Sequence, residues 1–369
     1  MSQSAAWEGY RSFVVVRKVP ESETVTSFYL EPQDGGELPS FRPGQYLGLK
    51  LTPPDQLVPI LRSYTLSDSP ANTAQYRLSI KREPAPVDTP DVPPGVSSNF
   101  MHDHVKEGTV LQVRAPAGDF VLRAEGKIPV VLLSGGVGCT PMISMLTAIA
   151  DAASERDVWF VHGVRNGREH AFSDFVRKLA AKHDNIHVHI CYSRPDADDV
   201  AGRDYDSTGH VSVDLLRDLL PGPMPQFFMC GSTPFMRTLY QGLIDWGVDK
   251  FQINYEFFGP ACDLISGDTP TTAVQDETGD RRGESHQVTF KQSGITATWT
   301  PVSGSLLELA EAVGINPDFV CRSGMCHTCL KQVAEGTFEY LHEDVMAPAL
   351  DDEILICSAR PTSDLVLEI

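Results

Sequence analysis

The chain has 369 residues, too many for one ordinary core and enough for two or three compact domains. Its 30 Lys and Arg stand against 49 Asp and Glu, a net charge of −19 that repels phosphate backbones and anionic lipid, so nucleic acid is not an expected partner; the acidity serves solubility or docking to a basic protein surface. With 41% hydrophobic and 21% charged residues the composition is globular, no apolar run approaches the roughly 20 residues of a membrane span, and the N-terminus has no secretory pattern, so a cytoplasmic location without membrane insertion is expected.

From Arg11 to about Leu122, short alternating runs such as Phe13-Val14-Val15-Val16, Tyr46-Leu47-Gly48-Leu49 and Tyr76-Arg77-Leu78-Ser79-Ile80 are separated by Pro, Gly and Asp turns, which predicts an antiparallel β-barrel. A Pro-rich stretch from Glu83 to Gly95 cannot continue a central strand and reads as a surface loop. The grammar then changes. From Ile128 to Pro260 apolar strands (Pro129 to Ser134, Val158 to Val161, Val188 to Ile190, Gln226 to Met229) alternate with amphipathic helices, predicting a Rossmann-like α/β domain on a parallel sheet. A polar stretch without periodicity reads as a linker, and strand-like segments with one helix from Leu306 to Val313 follow it. The expected domains are 1–122, 123–260, a linker over 261–286, and 287–369.

Eight cysteines in a cytoplasmic chain argue against a disulfide framework. Four of them crowd the last fifty residues. Cys321-Arg-Ser-Gly-Met-Cys326-His-Thr-Cys329, with Cys357 far downstream, is the plant-type C-x4-C-x2-C…C spacing that holds a [2Fe–2S] cluster through four thiolates. Small Ser323 and Gly324 allow backbone N–H groups to reach the sulfurs. A zinc site, which commonly repeats paired cysteines or adds histidines, and unligated buried thiols are the competing readings. His327 is not needed to complete the set.

Gly135-Gly-Val-Gly138-Cys-Thr-Pro141 follows a buried strand and opens a helix, where a dinucleotide pyrophosphate meets a helix N-terminus; a glycine turn that serves only close packing is the alternative. Gly95-Val-Ser-Ser-Asn99 precedes a helical-looking Phe100 to Val105, so Ser98 caps either a pyrophosphate or simply the helix.

Phe41 to Leu49, Arg62-Ser-Tyr-Thr-Leu-Ser-Asp-Ser-Pro70, Lys81-Arg-Glu83, Ala115 to Phe120, Gly136 to Met142, Cys230-Gly231 and Tyr255-Glu-Phe-Phe-Gly-Pro260 closely resemble the reductase half of flavohaemoglobins, over about residues 8 to 260. The C-terminal part resembles the plant-type ferredoxin, of α+β β-grasp fold, of phthalate dioxygenase reductases and other oxygenase reductases. The resemblance places the chain in the ferredoxin–NADP⁺ reductase superfamily, as a multidomain protein with an antiparallel flavin barrel. It implies that Arg62 neutralises flavin phosphate, Tyr64 packs on the ribityl chain and ring, and the Thr65 hydroxyl lies near flavin N5, with Ser63, Lys81 and Ser98 also at the flavin. Gly136, Gly138, Thr140, Pro141, Cys230 and Gly231 are implied at the nucleotide, Cys230 as a thiol lining the site. Glu256 and Phe258 are implied beside the isoalloxazine, where the Phe258 ring holds the nicotinamide's place. Thr65, Cys230, Glu256 and Phe258 are the expected catalytic residues. No globin segment is read in these residues, so nitric oxide dioxygenation loses most of its support.

The expected activity is that of an NAD(P)H-dependent oxidoreductase passing electrons from NADH or NADPH to FAD, then to the [2Fe–2S] cluster, then to an acceptor protein, a terminal oxygenase of Rieske or related type. FAD is preferred over FMN because flavohaemoglobin-like segments predominate. Reduction of small acceptors or of a separate globin, and a flavin and iron–sulfur redox sensor, are the alternatives.

Overall fold

The computed structural model describes residues 7, 9–54, 59–85, 94–123, 126–220, 225–258, 285–315, 317, 319, 324, 329–341, 345, 348, 350 and 352–369. The expected linker lies almost wholly outside them, as do Pro86 to Pro93 of the Pro-rich stretch. Backbone contacts divide the chain into two units, residues 1–258 and 259–369.

The first unit opens with β1 (Arg11–Pro20), β2 (Val25–Pro32), β3 (Tyr46–Leu51), β4 (Ile60–Thr65), β5 (Tyr76–Lys81), α1 (Val96–Asp103) and β6 (Val110–Val113). The strands form one antiparallel sheet in the order β4-β3-β6-β1-β2-β5. Alternation explains its inner face: Phe13 and Val15 are wholly buried while their neighbours are not, until a bulge between Val15 and Arg17 shifts the register. Beyond β4 the chain curls onto β5, with Leu66 opposite Leu78 and Ser67 N–H donating to the Arg77 carbonyl at 2.9 Å, so the sheet closes on itself. Buried serines staple that seam: Ser79 Oγ lies 2.7 Å from both Ser27 Oγ and Ser67 Oγ. Helix α1 begins at Val96 rather than Phe100, because Gly95 takes extended backbone at the N-cap and Asn99 N–H already donates to its carbonyl.

The unit continues with β7 (Val130–Gly135), α2 (Cys139–Asp151), β8 (Val158–Val164), α3 (Ser173–Ala180), β9 (Ile186–Tyr192), β10 (Ser207–Thr208), α4 (Val213–Leu219), β11 (Gln226–Gly231), α5 (Thr233–Asp245) and β12 (Ile253–Phe257). All the strands pair in parallel, in the order β10-β9-β8-β7-β11-β12. Val130 to Leu133 are buried without exception, as a strand covered on both faces requires. Strand order reverses between β7 and β11, which makes the crevice at their C-terminal ends the switch point where such sheets bind ligands.

The second unit has β13 (His286–Phe290), β14 (Ile295–Trp299), α6 (Leu306–Ala312), β15 (Leu330–Glu335), β16 (Phe338–Tyr340), β17 (Glu353–Leu355), β18 (Ala359–Pro361) and β19 (Leu365–Leu367). A five-stranded mixed sheet, β14-β13-β19-β15-β17, packs on α6 around Phe290, Trp299, Leu306 and Ile354. Ser305 and Glu308 cap α6 reciprocally.

Candidate functional site

Strand β4 carries four candidates in a row. Its pairing with β3 sets Arg62 opposite Leu49 and Tyr64 opposite Leu47, while Ser63 and Thr65 face the other way opposite Gly48 and Tyr46. Arg62 is exposed, with Nη1 donating to the Leu61 carbonyl at 2.7 Å. Burial pushes the Tyr64 phenol up to about 12, against the pull of Arg62 and Ser97. Ser97, in the first turn of α1, lies beside that phenol, yet its buried hydroxyl meets no partner at hydrogen-bonding geometry among the described residues, and neither does the hydroxyl of Ser63. Each such group costs about 1–3 kcal/mol unless a ligand supplies the partner. The first turn of α1 holds no acidic residue and its N-cap makes no side-chain bond, so its N–H groups are also available to an anion. These residues therefore fit a flavin with its phosphates at α1.

Ser98 sits inside α1, where its hydroxyl donates to the Gly95 carbonyl and accepts from Glu83 N–H, both at 3.2 Å. Lys81 is ion-paired with Glu83 at 3.2 Å.

At the switch point the glycines divide the work. Gly136 has φ +54°, the left-handed region that the turn needs. Gly138 serves close approach: a Cβ there would lie 2.2 Å from the Cys230 carbonyl oxygen and 2.9 Å from Gly231 N. Thr140, almost wholly buried, donates its hydroxyl to the Val137 carbonyl at 3.1 Å, and Pro141 sits in the first turn of α2, where its missing N–H breaks no helical bond.

Cys230 is not a lining thiol. It is completely buried in the core, and burial, then Glu256 and Cys139, push its thiol well above the ordinary range, because β11 passes beneath the glycine turn. Glu256 stands beside it in register on β12, and Phe258, just past that strand, is 46% exposed. Phe235 went unnoticed in the sequence; its ring lies against Gly135 and Gly231, across the crevice.

In the second unit Cys329 and Cys357 are buried, and Gly324 N–H donates to Cys357 Sγ at 3.4 Å. Gly324 has φ +69° and a Cβ there would press on Val345 and Ser358, so the position admits only glycine. A backbone N–H aimed at a thiolate sulfur is the surrounding expected of an iron–sulfur ligand. Cys321 and Cys326 lie outside the described residues.

Three family models match in chain order: an oxidoreductase FAD-binding domain over 12–122, an oxidoreductase NAD-binding domain over 132–241 and a 2Fe-2S iron-sulfur cluster binding domain over 288–362. A flavohemoprotein of Halalkalibacterium halodurans is 44% identical over 260 residues, covering 70% of this chain; the chain spans 62% of that protein's length. The flavohem-like FAD/NAD-binding domain of nitric oxide dioxygenase from Vibrio cholerae is similar with a TM-score of 0.59 and 35% identity, over 69% of this chain and all of that one. Phthalate dioxygenase reductase has the same fold over 98% of both chains, with a TM-score of 0.59 and 21% identity. The chain thus belongs to the ferredoxin–NADP⁺ reductase superfamily, as an NAD(P)H oxidoreductase with FAD-binding, NAD-binding and [2Fe–2S] domains in one polypeptide.

Proposed function

We propose that the chain is the reductase component of a Rieske-type or related oxygenase, delivering electrons from NAD(P)H through FAD and the cluster to a terminal oxygenase. The flavin, when bound, supplies the conversion between a hydride and the single electrons that a [2Fe–2S] centre accepts. Arg62 and the α1 N-terminus would take the flavin phosphates, Ser97 and Ser63 would complete its polar contacts, Tyr64 would pack along it, and Thr65 would offer it a hydroxyl. Gly136 shapes the turn that receives the nucleotide pyrophosphate, and Gly138 holds that turn against β11. Phe258 keeps the nicotinamide's place until the nucleotide displaces it. Cys321, Cys326, Cys329 and Cys357 hold the cluster.

The observation that carries this reading is the Gly324 N–H bond to Cys357 Sγ, in a cysteine-spaced domain that follows the two reductase modules. The likeness to phthalate dioxygenase reductase over 98% of both chains supports the module order. The 44% identity to a flavohemoprotein favours a second acceptor, a separate haem globin. Cys329→Ser replaces a soft thiolate with an alcohol and should strip the cluster. NADH-driven ferricyanide reduction should persist, since flavin supplies it directly, while reduction of cytochrome c and of the co-purifying acceptor should fall away. Acceptor turnover without iron would sink the proposal; co-purification of a globin would select the second acceptor.

A further inference from the structure

Four polar residues far apart in sequence gather at the C-terminal ends of three neighbouring strands, and none of them has a part in the chemistry above. Ser134 on β7 lies in register with His162 on β8, and Tyr192 closes β9. Ser134 Oγ and His162 Nδ1 are 2.9 Å apart, the rings of His162 and His170 are 5.3 Å apart, and His170 Nδ1 is 2.9 Å from the Tyr192 hydroxyl. All four side chains are buried.

His170 belongs to no strand. It follows a short 3-10 turn, Gly167–Glu169, and two residues later Phe172 takes a left-handed backbone, φ +63°, before α3. The segment is fastened elsewhere too: Glu23 N–H of the barrel donates to the Arg168 carbonyl at 2.9 Å, and the Arg77 guanidinium lies 5.1 Å over the Phe172 ring. Arg165, Asn166, Arg168 and Glu169 line an open cleft of about 460 Å³ that also meets Glu23, Arg194 and Asp196. It lies beyond β8, where a dinucleotide bound at the switch point carries its adenosine ribose.

This conformation is held against local preference. Phe172 in the left-handed region costs about 1–3 kcal/mol, and the buried Nε2 of His170 meets no partner among the described residues, a cost that an apolar ring would avoid. Packing alone gives no reason for an imidazole there; its bond to Tyr192 does. We propose that His170, through that bond, is a positioning residue for nucleotide binding, fixing residues 165–169 as a rigid wall of the cavity that receives the adenosine end of NAD(P)H. The inference rests on the reading of the first unit as the NAD(P)H site. A wall that must order as the nucleotide arrives weakens affinity and leaves the chemical step alone.

The test uses the holoprotein, with ADP-ribose titrated calorimetrically and NADH-driven and NADPH-driven ferricyanide reduction alongside. Tyr192→Phe and His170→Phe should each raise the ADP-ribose Kd and the nucleotide KM about tenfold, with kcat within about twofold and flavin content full. The double variant should be no weaker than either single one, because both remove the same bond. His170→Asn, whose amide can still donate toward Tyr192, should recover most of the loss. Unchanged Kd and KM in flavin-loaded Tyr192→Phe would overturn the inference, and so would kcat and flavin content falling in step with affinity in all variants. Wild-type protein that reduces its flavin with neither nucleotide would overturn the underlying reading as well; wild-type turnover with unshifted variants would overturn this inference alone.

Discussion

The same buried imidazoles set an acid limit on the first unit. Burial first, then coupling to His170 for His162 and the Arg177 charge for His170, holds His162 at about 3 and His170 at about 4, against 6.5 for an ordinary histidine. Both are therefore neutral in the folded protein across the whole range in which the unfolded chain takes up protons. A histidine whose folded value is depressed gives its full stability above 6.5 and loses it as pH falls toward the folded value. Each contributes a slope that approaches about 1.4 kcal/mol per pH unit below pH 6, so the pair removes about 3 kcal/mol between pH 6.5 and about pH 5, a large share of the 5–15 kcal/mol typical of a domain.

Urea unfolding followed by tryptophan fluorescence at a series of pH values checks this, comparing wild type with His162→Asn. The amide can still meet Ser134 and cannot titrate. The slope of stability against pH should fall by about 1.4 kcal/mol per unit in the variant. His102 and His189, also held low by burial, act in the same window but are common to both proteins and cancel. Asp34 and Asp204, held at about 2 by Arg11 and Arg203, act only at lower pH. Equal slopes, or a folded-state resonance of either imidazole that titrates near neutrality, would refute the reasoning.

Lys18 Nζ donates to the carbonyls of His102 at 2.6 Å and Val105 at 3.0 Å, closing the C-terminal end of α1, so Lys18→Met should cost about 1–3 kcal/mol and lower the temperature at which FAD fluorescence is released. Gly138→Ala drives a methyl into the Cys230 carbonyl and should abolish nucleotide-driven flavin bleaching while flavin stays bound; normal bleaching would show that β11 yields. Phe258→Ala removes an exposed ring that competes with nicotinamide, so NAD(P)H should bind about three- to tenfold more tightly, measured by KM, with little change in melting temperature.

Much of the fold was legible because its periods are local. Alternation at Phe13 and Val15, the unbroken apolar run from Val130 to Leu133, and the cysteine spacing each report one element without knowledge of its neighbours. Depth and pairing were not local. That Cys230 ends a strand follows from its neighbours, but that it lies wholly buried follows from Gly138 bringing the turn down onto β11. The start of α1 was misplaced because Ser98 is the stronger N-cap residue, and only the fold shows that its hydroxyl is committed to Gly95 and Glu83. The set of Ser134, His162, His170 and Tyr192 exists only through parallel register, which no window along the chain samples.

One arrangement in the first unit bears on why these modules work as a pair. Strand β4 ends at Thr65, and three residues later the Asp68 carbonyl accepts a hydrogen bond of 2.9 Å from the buried Ser144 hydroxyl of α2, while Ser69 bonds Asp151 at the far end of that helix. Asn72 Nδ2 holds the Asp68 carboxylate at 2.9 Å, and at Gly44 the barrel backbone comes so close to Phe120 and Met145 that no side chain fits. The strand bearing the flavin candidates and the helix opened by the nucleotide turn are thus joined by a few residues of chain and two hydrogen bonds, beside an apolar core that Val25 and Leu122 of the barrel share with Met142 and Met145 of α2. Hydride transfer demands that kind of tie, since an error of about 1 Å between donor and acceptor can cost about a hundredfold in rate. Single-electron transfer to a cluster makes no such demand on alignment, and the ferredoxin unit is built accordingly, with its own closed core around Trp299 and its own capped helix.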